Sequence, residues 1–349
     1  MEYGKPLPDN LRSENGLYPV YGANGVKDRS NEYLYDCPTL IIGRKGSAGE
    51  INLSEDKFWP LDVTYFVKFD VKILDLHYLY YLLRKQNLPL LAKGVKPGLN
   101  REDVYNISVA IPSLDQQKRI AERLDKVQEL IALQKEQLKK LDDLIKSRFI
   151  DIFGNPITSK RFSRNTLRNC GTWQTGGTPS RQHHEYFGGK LPWITTIALE
   201  NIYVGKNDAV DYISDIGLQN STTKLIPEDS LLFAIRVGVG KVSINTCKIC
   251  TNQDIVSLSL NPSRKYSLIY LYFMFRLCEN YFIARTRGAT IKGITVDTIK
   301  DFPIIDAPYA LQTQFADFVT KIEAQKGLLA TRLSHLETLY KSLMQEYFG

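Results

Sequence analysis

Two long stretches of the chain repeat apolar residues at intervals of three and four. The apolar positions of the first stretch are Ile120, Leu124, Val127, Ile131, Leu138, Leu141 and Ile145, with Gln134 as a polar interruption. Those of the second are Phe315, Val319, Ile322, Leu329, Leu333, Leu336 and Tyr340, with Lys326 polar. This alternation is typical of a coiled coil. Because a domain-sized segment separates the stretches, we expect the two helices to pair antiparallel; two independent helices, each packed on its own domain, are the alternative.

The two stretches belong to an internal repeat. Gly154 aligns with Gly349, and the same offset of 195 residues, without a gap, matches identical residues at positions spread over 117–154. Nearer the N-terminus an offset of 192 takes over and matches Arg44 with Arg236. Since the order of matched features is the same in both halves, the sequence indicates a tandem duplication.

Each repeat begins with a part of mixed character. The runs "TLIIG" (39–43) and "SLLFAI" (230–235) predict buried strands between turn-forming residues. The apolar run "LIYLYFMF" (268–275) is shorter than the roughly 20 residues of a membrane span and predicts a buried helix. The predicted fold is α+β: two mixed-sheet domains with short helices at 1–112 and 155–308, and two long helices at 113–154 and 309–349. Gly154 and Pro156 are suited to end the first helix.

Composition is compatible with a two-domain protein that binds a polyanion. The chain has 349 residues, 43% of them hydrophobic and 24% charged, with a net charge of +7. That moderate excess permits a nucleic-acid partner without requiring one. Five irregularly spaced cysteines argue against a disulfide framework, so a reducing cytoplasm is the expected location, with no membrane association.

The sequence lacks the constellations that enzymes use. Cys247 and Cys250 form a single CxxC with no second pair, whereas a zinc site needs four ligands. The glycines before Lys241 lack the spacing of a phosphate-binding loop, and no methyltransferase tetrapeptide is present. We therefore predict a non-catalytic chain without a metal or cofactor of its own.

Basic loops that contain glycine recur in both repeats. The loop "GRKGSAG" (43–49) matches "IRVGVGK" (235–241), and "KGVKPGLN" (93–100) matches "RGATIKGIT" (287–295). Glycines let a backbone approach a ligand closely. Cations suit phosphate positioning, while arginine and asparagine suit the reading of guanine and adenine. Ordinary solvated turns are the alternative for any one loop, and their recurrence favours a shared binding role.

At these residues the chain resembles the DNA-specificity subunit of Type I restriction–modification systems, over nearly its whole length. The motifs that carry the resemblance are "YGKPLP" (3–8), "YPVYGANG" (18–25), "GRKGSAG", "GGTPS" (176–180), "EYFGGKLPWITT" (185–196) and "IPSLDQQKRIAERLDKV" (111–127). The first three are similar to one class of target-recognition domain, and the next two to another class. The last is similar to the start of the family's helix.

The resemblance implies that each mixed domain reads one half of a bipartite, asymmetric double-stranded DNA target. The loops and motifs give these candidate DNA-binding residues: Lys5, Tyr21, Asn24, Arg44, Lys45, Ser47, Lys93, Lys96, Asn100, Arg101, Thr178, Ser180, Arg181, Thr195, Thr196, Arg236, Lys241, Arg287, Thr290 and Lys292. The helices would form a spacer and dock two methyltransferase subunits, which restriction and translocase subunits would join. S-adenosylmethionine, ATP and magnesium would bind to those partners.

One feature departs from the family pattern. In the second repeat, 17 residues (161–177) precede the Thr-Pro of "GGTPS", whereas only "MEYG" precedes the matching Lys-Pro of the first repeat. Either the start is trimmed or the first domain lacks an edge strand. Two other functions compete with the main one: the specificity module of a combined restriction–methylation enzyme, and a coiled-coil scaffold without a DNA role.

Overall fold

The computed structural model describes residues 1–263, 266–288 and 292–349, which divide into two compact units. Unit 1 comprises residues 1–136 and 330–349, and unit 2 comprises residues 137–329. Each unit combines small mixed sheets and short helices with a portion of two long helices. The predicted α+β class is confirmed.

Unit 1 contains, in chain order, β1 (Glu2–Tyr3), β2 (Tyr18–Gly22), β3 (Gly25–Ser30), β4 (Thr39–Gly43), β5 (Ile51–Ser54), β6 (Trp59–Pro60), β7 (Thr64–Phe66), α1 (Leu76–Lys85), α2 (Arg101–Tyr105) and the first part of α3 (Leu114–Phe153). Short 3₁₀ turns lie at Asp9–Leu11 and Leu88–Leu91. One sheet has the order β1–β7–β4–β5 and another has the order β3–β2–β6.

Unit 2 contains the rest of α3, followed by β8 (Arg164–Asn165), β9 (Gly171–Thr175), β10 (Phe187–Ile194), β11 (Tyr203–Val204), β12 (Asp211–Ile213), α4 (Asp215–Asn220), β13 (Ser230–Ala234), β14 (Val242–Asn245), β15 (Cys250–Thr251), β16 (Ile255–Leu260), α5 (Leu268–Arg276), α6 (Glu279–Ile283), α7 (Val296–Lys300), β17 (Ile304–Ile305) and the first part of α8 (Tyr309–Phe348). Its 3₁₀ turns are His184–Tyr186, Thr196–Ala198 and Lys206–Asp208. The sheet orders are β11–β14–β13–β16–β9, β12–β10–β15 and β17–β8.

The buried elements follow the apolar runs of the sequence. Strands β4 and β13 coincide with the predicted runs, and all of their residues are buried. Helix α5 buries six of its residues, which confirms a core helix. Within the described ranges, no helix has both the length and the apolarity needed to cross a bilayer.

The long helices pair antiparallel inside each unit. In unit 1, Lys135 forms an ion pair with Glu337 (3.0 Å). Nearer the start of α3, Arg123 donates to the hydroxyl of Tyr347 (2.8 Å). The contact closer to the start of α3 thus involves a residue closer to the end of α8, so the two helices run in opposite directions. In unit 2, Lys326 forms an ion pair with Asp142 (2.7 Å) and Phe315 packs on Phe149 with 5.4 Å between ring centres, so the helices are antiparallel there too.

The predicted seam residues are all buried or partly buried. The most buried of them are Leu124, Ile145, Phe315 and Val319, each at most 1% exposed. The predicted antiparallel coiled coil is confirmed. Gly154 ends α3 with φ +82°, a left-handed conformation that glycine adopts without strain.

A buried glutamine attaches the mixed part of each unit to its long helix. Gln117 accepts a hydrogen bond from the amide of Asp75 (2.9 Å), and Gln312 accepts one from the amide of Ser267 (3.0 Å). The side chains of Asp75 and Ser267 in turn cap α1 and α5. The duplication therefore extends to a matching polar contact in the core.

Helix α1 also contacts the long helix through a histidine side chain. His77 Nδ1 lies 2.8 Å from a carboxylate oxygen of Asp125, and His77 Nε2 lies 3.4 Å from Glu55. Burial alone would lower the pKa of His77, but hydrogen bonds and charges from these acids outweigh it and raise that pKa.

The units differ at the edge that β8 covers. In unit 2, β8 pairs with β17, and Ile304 and Ile305 are at most 1% exposed. In unit 1 the equivalent residues are Val109, which is 38% exposed, and Ala110, which is also exposed. Among the described strands of unit 1, none occupies the place of β8, and both expected explanations, a trimmed start and a first domain without this edge strand, are compatible with that difference.

Candidate nucleic-acid interface

A short parallel strand pair supports the candidate interface in each unit. In unit 1, Val20–Tyr21 of β2 pairs with Trp59–Pro60 of β6. In unit 2, Trp193–Ile194 of β10 pairs with Cys250–Thr251 of β15. Both pairs end at a tight turn, so the two units present the same scaffold.

The turn after each pair directs one polar side chain outward. In unit 1 the amide of Thr64 donates to the carbonyl of Leu61 (2.9 Å), and in unit 2 the amide of Ile255 donates to Asn252 (3.2 Å). Asp62 and Gln253 follow the accepting residues and are exposed. We call Leu61–Thr64 and Asn252–Ile255 the recognition turns.

The first basic loop of each unit is held against its recognition turn. The amide of Arg44 donates to the carbonyl of Val63 (2.8 Å), and the amide of Ile235 donates to the carbonyl of Asp254 (2.9 Å). These matching bonds make Arg44 equivalent to Ile235.

The predicted match between Arg44 and Arg236 is therefore wrong by one residue. Lys45 forms a β-bridge with Gly98, and Arg236 forms the same bridge with Gly293. Lys45 and Arg236 therefore occupy equivalent positions, and a cation recurs at this position in both units. The match of Gly46 with Gly238 shifted the sequence alignment by one residue, and the backbone hydrogen bonds do not support that match.

The second basic loop of each unit joins the first. Lys93 and Gly98 exchange two backbone hydrogen bonds of 3.0 Å, and Arg287 and Gly293 exchange bonds of 2.8 and 2.9 Å. Because the same glycines bridge to the first loops, the two loops predicted in each unit lie together.

Two glycines hold the N-terminal motifs of each repeat against the recognition turns. A Cβ on Gly4 would lie 2.1 Å from the carbonyl oxygen of Leu61, and one on Gly176 would lie 2.2 Å from that of Asn252. Only glycine permits so close an approach of two backbones. The motifs "YGKPLP" and "GGTPS" therefore form part of the same surface.

The cations of unit 1 are largely available to a ligand. The guanidinium groups of Arg44 and Arg101 lie 5.2 and 5.3 Å from the ring centre of Tyr3, which is 47% exposed. Lys45 and Lys96 are exposed and form no ion pair with any residue in the described part of the chain. Arg101 also lies 3.5 Å from a carboxylate oxygen of Glu102, whereas Lys45 and Lys96 can bind phosphates without first breaking an ion pair.

Two other predicted residues of unit 1 have internal partners. Lys93 forms an ion pair with Asp103 (3.0 Å). Asn100 caps α2, because its side-chain oxygen accepts a hydrogen bond from the amide of Glu102 (3.1 Å). Asn100 thus has a structural role in addition to any contact with a ligand.

The remaining candidates of unit 1 surround the recognition turn at different depths. Asn24 is exposed at the tip of the β2–β3 hairpin, and Lys5 is exposed beside β6. Tyr21 is partly buried, with its ring 5.6 Å from that of Phe58. Ser47 is partly buried within the first basic loop.

In unit 2 two of the predicted loop cations are paired with acids. Arg236 lies 3.3 Å from a carboxylate oxygen of Asp254. Lys241 forms an ion pair with Glu200, and its hydrogen bond and charge lower the pKa of that carboxyl. Binding of phosphate to these cations must compete with an existing partner.

Arg181 is held in a similar way. It forms an ion pair with Asp211 (2.5 Å), and its guanidinium lies 4.2 Å from the ring centre of Phe187. The pair fixes the direction of the side chain, which remains 62% exposed.

The predicted neutral groups of unit 2 differ in accessibility. Thr178 is exposed and hydrogen-bonds to the side chain of Gln253. Ser180 is exposed. Thr195 has a buried hydroxyl without a partner among the described residues, and Thr196 is only 4% exposed. Burial leaves Thr196 inaccessible to a ligand.

The last predicted loop is described only at its ends. Arg287 and Lys292 are exposed and have no ion-pair partner within the described ranges. Thr290 lies outside the described residues.

Sequence reasoning missed several exposed residues of this surface. Val95, at the tip of a basic loop, is fully exposed, and Val237 is 57% exposed. Val237 has φ +30°, which is uncommon for a β-branched residue, and it stands where unit 1 has Gly46 (φ +79°). Asp62 and Gln253 were also missed, because only the hydrogen bonds of the turn reveal their equivalence.

The chemistry of the surface suits contacts with nucleic acid. Exposed cations, amide groups and apolar tips can respectively contact phosphates, base edges and thymine methyl groups. Within the described residues, no group of three or more histidine, cysteine, aspartate or glutamate side chains is arranged to hold a metal ion.

Comparison with known sequences identifies relatives of both halves. A family model described as the Type I restriction modification DNA specificity domain matches residues 2–143 and 166–338. The Type I restriction enzyme MjaIX specificity subunit of Methanocaldococcus jannaschii is 24% identical over 51% of this chain and 41% of its own length. The EcoR124I/EcoR124II specificity subunit of Escherichia coli is 27% identical over 40% of this chain and 35% of its own. These alignments thus span less than half of those relatives.

Solved structures share the fold over the whole chain. The Type I S subunit from M. genitalium has a TM-score of 0.67 at 15% identity and covers 100% of this chain and 93% of its own. A chain from a structure of type I R-M complex assembly and conformational transition has a TM-score of 0.58 at 16% identity, with coverage of 99% and 95%. At such low identity the likeness concerns the fold alone.

Proposed function

Because the chain belongs to the family of Type I restriction modification DNA specificity domains, we propose that it is the DNA-specificity subunit of a Type I restriction–modification complex. Each unit reads one half of a bipartite, asymmetric sequence in double-stranded DNA. The chain itself catalyses nothing and works in the cytoplasm. Methyltransferase subunits that bind S-adenosylmethionine, and restriction or translocase subunits that use ATP and magnesium, supply the chemistry.

The observation that carries this proposal is one scaffold with two sets of exposed side chains. The backbone hydrogen bonds that join the recognition turn to the first basic loop, and the first basic loop to the second, are equivalent in the two units. The exposed residues differ, as Asp62 and Gln253 do at one position. Equal scaffolds with unequal side chains are what the reading of two different half-sites requires.

Repeated apolar residues on the long helices support two equivalent partner sites. Leu133 and Leu328 occupy equivalent repeat positions and are 44% and 65% exposed. Leu144 and Leu339 are also equivalent, at 46% and 45% exposed. Exposed apolar residues that recur at matched places suit the docking of two identical methyltransferase subunits.

Assembly with the methyltransferase subunits tests this function. We expect sequence-specific methylation of DNA only when this chain is present. The double variant Leu144→Asp with Leu339→Asp should remain folded and lose co-purification of those subunits, because it places charges in both docking faces. Ile150→Asp is the control, since Ile150 is 44% exposed and its repeat equivalent Gln345 is polar.

Methylation of the same sites without this chain would contradict the proposed function. Retention of both methyltransferase subunits by the double variant would contradict the proposed docking faces.

A further inference from the structure

We propose that Asp62 and Gln253 are base-reading side chains at equivalent positions of the two units, with Asp62 reading cytosine and Gln253 reading adenine. This inference rests on the proposed function and specifies which groups discriminate between bases. Neither residue belongs to the basic loops that the sequence singled out.

The position of the two residues is fixed by the scaffold. Each lies second in its recognition turn, between the end of a parallel strand pair and the residue that accepts from the first basic loop. Backbone hydrogen bonds hold the turn on both sides, so the side chain is the part that remains free to contact a ligand. Base reading needs such a rigid support, because a hydrogen bond discriminates only when its direction is fixed.

Asp62 is an acid in surroundings that are otherwise basic. It is exposed, and among the described residues it forms neither an ion pair nor a side-chain hydrogen bond. The next residue, Val63, accepts hydrogen bonds from the amides of Arg44 and Lys45 (2.8 and 3.3 Å). An unpaired carboxylate on the residue next to these backbone bonds opposes phosphate binding at this surface, so it weakens affinity unless it accepts a specific hydrogen bond.

The acceptor chemistry of Asp62 selects the base. An ionised carboxylate has acceptors and no donor. Cytosine presents its N4 amino group as a donor in the major groove, whereas guanine presents only acceptors there. Asp62 therefore favours cytosine and disfavours guanine at the position it faces.

Gln253 carries both a donor and an acceptor. Its Oε1 hydrogen-bonds to the hydroxyl of Thr178, which orients the amide group. Its Nε2 makes no hydrogen bond with a described residue and is free to donate. One donor and one acceptor in the same plane match N7 and the N6 amino group of adenine.

A reciprocal exchange of acid and amide tests the inference with little change in shape. The variants are Asp62→Asn and Gln253→Glu, assembled in the complete modification complex. Methylation rates are measured on duplexes that contain all four base pairs at each position of the recognised sequence. The controls are Asp56→Asn and Gln219→Glu, which make the same exchanges at exposed positions outside the recognition turns.

We expect each variant to lose discrimination at one position of one half-site, by about ten- to a hundredfold. Asp62→Asn should shift the preference from cytosine towards adenine. Gln253→Glu should shift it from adenine towards cytosine, because a carboxylate cannot donate to N7. The controls should keep the wild-type preference.

The inference is overturned if both variants keep wild-type rates on every duplex. It is also overturned if the rates fall equally on all duplexes, since a uniform loss indicates a phosphate contact or a folding defect. The same shift in a control variant would exclude the recognition turn as its cause. If the wild-type complex shows no sequence preference, the proposed function fails and this inference with it.

Discussion

Replacement of Gln117 by leucine should destabilise unit 1 through the loss of three hydrogen bonds. The amide of Asp75 donates to its Oε1 (2.9 Å), and its Nε2 donates to the carbonyls of Ile73 and Pro112 (2.9 Å each). The Gln117 side chain is fully buried, whereas its three hydrogen bonds lie in partly buried surroundings, so water replaces the lost partners only in part. Leucine has a similar volume and leaves one donor and two acceptors without partners.

The magnitude follows from these three groups. Each unsatisfied buried group costs about 1–3 kcal/mol, and the greater apolarity of leucine offsets part of the sum. We expect a net loss of about 2–4 kcal/mol for Gln117→Leu. Gln312→Leu leaves one donor and one acceptor without partners, those of Ser267 and Ala307, and should cost about 1–3 kcal/mol.

Amide hydrogen exchange measures this effect locally, which matters because a chain with two compact units need not unfold in one step. The amides of Asp75 and Ser267 should exchange about tenfold faster or more in the respective variants. Gln116→Leu and Gln314→Leu, at exposed neighbouring positions, should leave exchange unchanged. Unchanged exchange in the buried variants would refute the structural role of the glutamines.

Three further outcomes follow from single contacts. Because the pKa of His77 is raised on folding, its stabilising contribution is complete below about pH 6.5 and is lost as pH rises through the folded-state pKa, so His77→Gln should flatten the pH dependence of urea unfolding. Ile304→Ala should cost about 2–4 kcal/mol because Ile304 is 0% exposed, while Val109→Ala at the equivalent position should cost less than about 1 kcal/mol in the same assay. Lys45→Ala should reduce the slope of log DNA affinity against log salt concentration by about 1. Lys241→Ala removes a cation that is already paired and should leave that slope nearly unchanged. Equal slopes for the wild type and both variants would contradict the assignment of Lys45 to phosphate.

The long helices could be predicted closely from the sequence because their determinants are local. A helix of 40 residues displays its apolar face about every 3.6 positions, and Gly154 marks the end of α3. Strands β4 and β13 were equally predictable, since continuous apolar runs between turns identify buried strands.

The candidate nucleic-acid interface could be predicted only in part because long-range hydrogen bonds determine which residues of the two units are equivalent. The identical glycines Gly46 and Gly238 suggested an alignment that the bonds to the recognition turns reject. Asn100 has the side chain of an adenine reader, but its place before α2 makes it a helix cap. The type of a residue suggests a role, but its position in the fold determines whether the side chain is free to perform that role.

Sequencing that detects modified bases, applied to cells that express this chain with the proposed methyltransferase subunits, tests most directly whether each unit reads one half-site. We expect one asymmetric motif made of two different half-sites at a fixed separation. Lys45→Ala should weaken methylation of that motif without changing the bases read, because a lysine that binds phosphate supplies affinity rather than sequence information. A single uninterrupted or palindromic motif, or no motif at all, would contradict the reading of one half-site by each unit.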